Sequence, residues 1–244
     1  MADHSASAHT HMKDIHAGAD FLLGVIVALA IEKAMESFLH GLNHRWLSDP
    51  LRPLLTAAEM SPELAQQCLE FARLILFMVM IVRFYFGWIF YSHKTHLEAG
   101  LPNPVAYRRD FFSALFHFAL FYAWSLTITT RTRFWLILNP FLIGMAAVLL
   151  YDILWVRWLH AAGSARKWAW RNGMTVVWCS LLLLVFALAG RTAVMEFPAT
   201  ALLAEFLLVL LPVFLISRID ILETIKGADP EAKLFVLFGP AVKL

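Results

Sequence analysis

Charged residues are scarce in this chain of 244 residues. Asp, Glu, Lys and Arg make up 16% of it, against about 25% in ordinary soluble domains. Hydrophobic residues make up 60%, and several apolar runs approach the length of about 20 residues that crosses a bilayer as a helix. The net charge is only +2, and the basic residues are scattered, which argues against a nucleic-acid partner. The composition predicts an all-α, multi-pass protein in a lipid bilayer, and we expect a bacterial inner membrane.

Cysteine is nearly absent, and the common catalytic motifs are missing. Cys68 and Cys179 are far apart, so neither a disulfide framework nor a C-x-x-C metal motif is present. The sequence also lacks G-x-S-x-G, H-E-x-x-H, Walker and Rossmann glycine patterns. No cleavable signal peptide is evident, because the start of the chain has no basic segment before its first apolar run. An enzyme is therefore the less favoured class, and no cofactor is identified.

Six apolar segments are spaced along the chain and predict a bundle of six transmembrane helices. The predicted ranges are 20–41, 62–91 (with its membrane part at 74–90), 110–129, 133–157, 173–190 and 197–217. A flexible histidine-containing tail (1–19) is expected before this domain (20–217), and an amphipathic cytoplasmic tail (218–244) after it. The side that would carry both termini has twice as many Lys and Arg residues as the other side. This excess predicts that both termini are cytoplasmic.

Two dipeptides with proline predict local helix geometry. Ser61-Pro62 is typical of a helix start, with serine as the N-cap and proline in the first helical position. Asn139-Pro140 falls inside the fourth predicted span, and we expect the proline to kink that helix.

The first predicted span carries charges close to its apolar run. That run, residues 21–31, covers only about 16 Å of helical rise, roughly half of the hydrocarbon thickness. Glu32, Lys33 and Glu36 must therefore lie inside the bilayer or at its edge. A charge near the bilayer centre costs on the order of 3 kcal/mol, so these side chains are expected to face protein or water rather than lipid.

Arg83, near the midpoint of the second span, is the strongest single signal in the sequence. An arginine stays protonated when it is buried, so it needs an acidic partner. Counting along the spans places Glu32 near the depth of Arg83, with Glu36 about 6 Å further out. We therefore predict that Glu32 neutralises Arg83, and that Lys33 pairs with Glu205 or Glu36.

The candidate site consists of all ionisable residues predicted within the spans. They are Glu32, Lys33, Glu36, Arg83, His117, Asp152 and Glu205. In one interpretation the first-span carboxylates line a pathway for ions or protons, with histidine as a proton relay. In the other, the charges fix helix packing or dock a partner membrane protein, and the chain is an accessory or effector subunit. We also expect a homo-oligomer, because six helices leave few surfaces to enclose a pore within one subunit.

Histidines in two places raise the question of a metal site. His9 and His11 lie in the predicted tail, and His40 and His44 have the i,i+4 spacing that can seat a metal on a helix. The predicted topology separates the two pairs across the membrane, so they cannot form one site within a subunit. We expect less than one metal ion per chain.

The layout of six spans, with both termini inside and polar residues on the first span, is similar in outline to the lysosomal and bacterial potassium channels with six-span subunits. The resemblance covers only the topology and implies an ion channel. The first-span signature of that family, Phe-Ser-x-x-x-Asp, is missing, and Ala17-Gly18-Ala19-Asp20 stands in its place.

Overall fold

The computed structural model describes residues 2–41, 62–97, 103–129, 139–158, 164–189 and 205–228. Every regular element in these ranges is helical and none is a strand, which confirms the all-α prediction for the described part of the chain. The helices are α1 (Ala2–Gly41), α2 (Pro62–Ser92), α3 (Pro104–Ser125), α4 (Pro140–Trp158), α5 (Ser164–Ala189) and α6 (Leu211–Ala228). A π-helical segment, His93–Leu97, follows α2, and another, Phe206–Leu210, precedes α6.

Asparagine and proline determine where two of the helices begin. The side chain of Asn103 accepts hydrogen bonds from two backbone N–H groups of α3, both at 3.1 Å, and Pro104 is the first helical residue. Asn139 does the same at the start of α4, at 3.1 and 3.4 Å. The pair Asn139-Pro140 therefore starts a helix where we predicted a kink, because asparagine is a good N-cap and proline suits the first turn. Pro62 begins α2 as predicted.

The first helix is longer than predicted. It begins at Ala2, so one continuous helix covers both the predicted tail, from its second residue, and the predicted first span. His16 is buried, and its Nε2 lies 2.8 Å from Oγ of Ser92 on α2. Nε1 of Trp88 donates to Asp20 at 3.3 Å. These contacts hold the first half of α1 against α2.

The last described helix also extends beyond its predicted end. Helix α6 continues past residue 217, the predicted end of the membrane domain, to Ala228, and the side chain of Asp220 is buried. Oγ of Ser217 lies 3.0 Å from Sδ of Met80, which places this part of α6 against α2. A buried charge such as that of Asp220 is tolerated where it has a partner. Residues 229–244 lie outside the described ranges.

The second helix lies at the centre of the fold. It packs against α1, α3 and α6, while α4 packs against α3 and α5. Phe77, Met80 and Ile81 of α2 are fully buried. The ring of Phe77 meets those of Phe121 and Trp124 on α3 at centroid distances of 6.1 and 5.2 Å. A continuous apolar and aromatic core therefore joins α2 to α3.

Large apolar side chains also cover the outside of the helices. Phe21, Phe112, Leu154 and Trp170, on four different helices, each expose more than half of their surface. By length and composition, two of the described helices could cross a membrane, over Lys13–His40 and Gln66–His96, and Pro140–Trp155 forms a shorter apolar helix. The described bundle thus has an apolar exterior as well as an apolar core.

Gly144→Ala is expected to destabilise the fold. A Cβ atom at this position would lie 2.5 Å from Cδ1 of Trp124. That ring is buried, and its Nε1 donates to the backbone oxygen of Phe141 at 2.8 Å, so it cannot easily move away. We expect the free energy of unfolding to fall by about 1–3 kcal/mol, as for overpacked cores. Thermal unfolding in detergent measures the change.

Gly173→Ala is the matched control. No atom outside its own stretch of helix lies within 4 Å of the added carbon, so this variant should be as stable as the parent or slightly more so. Equal melting temperatures for the two variants would contradict the close contact at Gly144.

Candidate functional site

Six side chains from four helices meet around Arg83 in the interior of the bundle, and we call them the central cluster. Its members are Arg83 on α2, Asp152 on α4, Trp168, Arg171 and Asn172 on α5, and Asp220 on α6. Four of them, Arg83, Asp152, Asn172 and Asp220, are buried. The cluster therefore links helices that are far apart in the sequence.

The guanidinium group of Arg83 is held by polar partners and covered by aromatic rings. It forms an ion pair with Asp220 and donates to Oδ1 of Asn172 at 2.6 Å. Its Cζ lies 4.3 Å from the ring centroid of Trp168 and 5.0 Å from that of Phe84. Because aromatic faces attract cations, the two rings replace part of the hydration that Arg83 loses on burial.

The two carboxylates of the cluster have different partners. Asp220 forms ion pairs with both Arg83 and Arg171. Asp152 accepts from Nε1 of Trp168 at 2.6 Å and from the side-chain amide of Asn172. Within the described ranges, Asp152 is hydrogen-bonded to neutral donors only, whereas Asp220 is contacted by two arginines.

The predicted pairing of Arg83 with Glu32 is wrong. Helices α1 and α2 run antiparallel, and the contact of Asp20 with Trp88 sets their register. This register places Arg83 level with residue 25 of α1, so Glu32 lies about 10 Å away along the helix axis. Arg83 pairs with α6 instead, while Glu32 is exposed.

The partner of Arg83 was missed because the sequence predicted that α6 ends before Asp220. A weak signal for it is present in the sequence. Apolar or small residues recur at Val209, Val213, Ser217 and Ile221, and these positions are buried in the structure. This helical period continues past 217 and includes Asp220 on the same face.

Glu205 belongs to a second buried cluster, near the start of α6. Its carboxylate accepts two hydrogen bonds from Arg73 at 2.8 Å and one from Asn139 at 2.7 Å. The guanidinium carbon of Arg73 lies 5.3 Å from the ring centroid of Phe141. Two parallel N–H···O bonds between arginine and a carboxylate are among the stronger polar contacts in proteins. This cluster joins α2 to the starts of α4 and α6.

The three predicted site residues of α1, Glu32, Lys33 and Glu36, lie on the surface of the described bundle. Lys33 donates to Glu36 at 2.7 Å, which confirms one of its two predicted partners, while the other, Glu205, pairs with Arg73. Glu32 is exposed, as is half of the Glu36 side chain. The structure therefore separates the first-span carboxylates from the central cluster.

His117 lies beside the central cluster. Its ring packs edge-on against Phe84 at 4.8 Å, and its Nε2 lies 3.1 Å from the backbone oxygen of Val148. That hydrogen bond requires the proton on Nε2. Val148 precedes Asp152 by one helical turn, so His117 contacts the same stretch of α4 that carries Asp152.

A third polar group, which the sequence analysis did not predict, surrounds Asp110 on α3. Its carboxylate accepts from Tyr91 at 3.1 Å, lies 3.1 Å from Nε2 of His96 and pairs with Arg109 at 3.0 Å. Asp110 and His96 are both buried. These contacts fix the start of α3 against the end of α2.

Tyr107 extends this third group to α1. Its ring lies 4.8 Å from that of His16 and 5.2 Å from that of His96. Burial raises the pKa of Tyr107, and the negative charge of Asp20 raises it further, so the phenol stays neutral. His16 lies 3.3 Å from Asp20, and this i,i+4 spacing is the sequence signal that could have revealed part of the group.

Of the four histidines in the two predicted pairs, only His40 has a side chain that the structure describes. His40 is exposed, and His44 lies outside the described ranges, as do the side chains of His9 and His11. No group of three or more His, Cys, Asp or Glu side chains in the described part of the chain is placed to hold a metal ion.

Comparisons of the chain with protein families, with curated proteins and with solved structures found no match.

The ion pair of Arg83 with Asp220 gives an asymmetric prediction. Asp220→Leu removes the carboxylate that contacts both Arg83 and Arg171, whereas Arg83→Leu leaves Asp220 still paired with Arg171. Losing one partner of a buried pair typically costs about 3–5 kcal/mol, so Asp220→Leu should lower folded yield and melting temperature the more strongly. Combining Arg83→Leu with Asp220→Leu should recover part of the loss.

Glu32→Gln is the control for that series. Because Glu32 is exposed, its replacement should change the free energy of unfolding by no more than about 0.5 kcal/mol. A Glu32→Gln protein as unstable as Asp220→Leu would restore the pairing predicted from the sequence.

Proposed function

We propose that this chain is an integral membrane protein whose six helices cross the bilayer, with both termini on the cytoplasmic side. The apolar side chains exposed on all six helices support this location, since soluble monomers rarely expose large continuous apolar patches. Helices α3 and α5, with 22 and 26 residues, are long enough to cross about 30 Å of hydrocarbon.

We further propose that the protein moves small cations or protons across the membrane through the central cluster. The observation that carries this proposal is the position of Asp152, a buried carboxylate held by the neutral groups of Trp168 and Asn172. A carboxylate between two arginines, such as Asp220, is already neutralised. Asp152 has only neutral hydrogen-bonding partners among the described residues, so it is the carboxylate of this cluster best able to bind a passing cation. Polar or charged residues inside membranes commonly mark ion pathways.

This pathway differs from the one that the sequence predicted. Glu32 and Glu36 were expected to line it, but both lie on the outer surface of α1. The interior route of the present proposal uses the predicted residues Arg83 and Asp152, and adds Asp220. His117 remains a candidate proton relay, because it touches α4 one turn from Asp152.

The central cluster reaches the surface at Arg171, because about a quarter of that side chain is exposed. Asn172 binds Arg83 with its oxygen and Asp152 with its nitrogen, and it therefore separates the two halves of the cluster. In the proposed mechanism, a cation that binds Asp152 displaces this amide, and the amide's return releases the cation. Arg83 stays on Asp220 throughout and keeps the bundle closed around the site.

An accessory or effector subunit is the second candidate function. The exposed carboxylates on α1 favour this role, because a partner membrane protein could cover them. The ion pairs of the buried arginines also favour it, because they can serve to hold the helices together. In this case the purified protein should be silent alone and active only with its partner.

Purified protein in liposomes tests the transport proposal. Asp152→Asn keeps the size of the side chain and its ability to accept from Trp168, but removes the charge, so it should fold normally and lower cation or proton flux to the level of empty vesicles. Glu32→Gln should leave the flux unchanged. Normal flux through the Asp152→Asn protein would refute this pathway, and an inactive parent protein that gains activity with a partner would favour the accessory role.

A further inference from the structure

The outer face of α1 carries a row of exposed residues with heptad spacing, which we call the α1 seam. It consists of Phe21, Val25, Ala28, Glu32, Met35 and Leu39, which follow one another at alternate steps of four and three residues. None of the other described helices covers this face, whose opposite side, with Leu23 and Ala30, is buried in the bundle. Steps of four and three are the spacing by which one helix packs along another.

An open groove of about 610 Å³ lies along the middle of the seam. Ala28, Glu32, Met35 and Leu39 border it, together with Ile31, Glu36 and His40. The small side chain of Ala28 allows a neighbouring backbone to approach closely. Glu32 is the only charged residue of the seam, and no ion pair within the described part of the chain involves it. A bare carboxylate on a face exposed to lipid is unfavourable, so this face needs a basic partner.

A matching row occurs on the outside of α6. Leu211, Leu215, Arg218 and Leu222 are exposed or half-buried, and they are separated by steps of four, three and four residues. Arg218 forms no ion pair within the described ranges, and its Nε is buried without a hydrogen-bond acceptor there. The α6 row thus has one basic residue that lacks a partner, as the α1 seam has one acidic residue.

The two charges lie at compatible depths. Along α2, the contact of Asp20 with Trp88 places Glu32 level with residue 76, and the contact of Ser217 with Met80 places Arg218 about 7.5 Å further towards the Trp88 end. Side chains on a helix lean towards its N-terminus. Since α1 and α6 enter the bundle from opposite ends, Glu32 leans towards the Trp88 end and Arg218 leans away from it. The two side chains close the remaining distance between them.

We propose that a second copy of this chain docks on the α1 seam through its α6 row, with Arg218 of one copy paired to Glu32 of the other. The proposal rests on the membrane location argued under Proposed function, and not on ion transport. Copies in one membrane share the same orientation, so α1 and α6 of neighbouring copies meet antiparallel and at matching depth. The contact forms twice in a two-fold dimer, or once between successive subunits of a ring.

Charge reversal tests this contact. Glu32→Arg alone and Arg218→Glu alone each place like charges against one another, so each variant should be a single chain of 27.7 kDa by light scattering in detergent, whereas the parent should be a multiple of this mass. Mixing the two single variants should restore the assembly, because the introduced arginine then meets the introduced glutamate while the native Glu32 meets the native Arg218. Asp14→Arg, an exposed change at the other end of α1, should leave the mass unchanged.

The same proteins are then compared in vesicles by energy transfer between two fluorescently tagged populations, which excludes dissociation by detergent as the cause. Single variants that still assemble, a parent that is a single chain in vesicles, or mixed variants that stay apart would each overturn the proposal. Flotation with the vesicles checks the membrane location separately. Flux measurements separate the assembly proposal from the transport proposal. Variants that are single chains and still conduct refute neither proposal. Assemblies that do not conduct refute only the transport proposal.

Discussion

The burial of Arg83 is the constraint on which the interior depends. Its guanidinium group stays charged, and taking it out of water is tolerated only if other groups replace the lost hydration. Asp220 supplies the opposite charge, Asn172 a hydrogen-bond acceptor, and the ring of Trp168 an aromatic face. These residues come from α5 and α6, and Asp152 adds α4 through Asn172. Satisfying one charge therefore determines how four helices meet.

Two groups of charged residues in the described chain differ in where their partners lie. Interior charges such as Arg73 and Glu205 are satisfied within the chain, where they link distant helices. Glu32 and Arg218 lie on outer faces and have no ion-pair partner among the described residues. The same rule, that a charge away from water needs a partner, thus accounts for the fold in the first case and supports the proposed association of copies in the second.

The proposed transport and the proposed assembly use different residues. Transport depends on Asp152, whose partners are neutral, inside one chain. Assembly depends on the surfaces of α1 and α6, where apolar residues at heptad spacing surround one charge each. Because the two sets share no side chain, mutations can separate them, and neither proposal requires the other.

The sequence by itself determined the local features, because these depend on neighbours in the chain. Apolar periodicity predicted the helical class and the range 62–91, close to the observed Pro62–Ser92, and the chemistry of arginine showed that Arg83 requires a partner. Two predicted site residues, Arg83 and Asp152, do meet in the central cluster, with His117 beside it. Only the tertiary structure decided which acid Arg83 binds, and that Glu32 faces outward. Helical period shows which residues share a face of one helix, but the register between helices is set by packing, and a shift of about two turns separates Glu32 from Arg83.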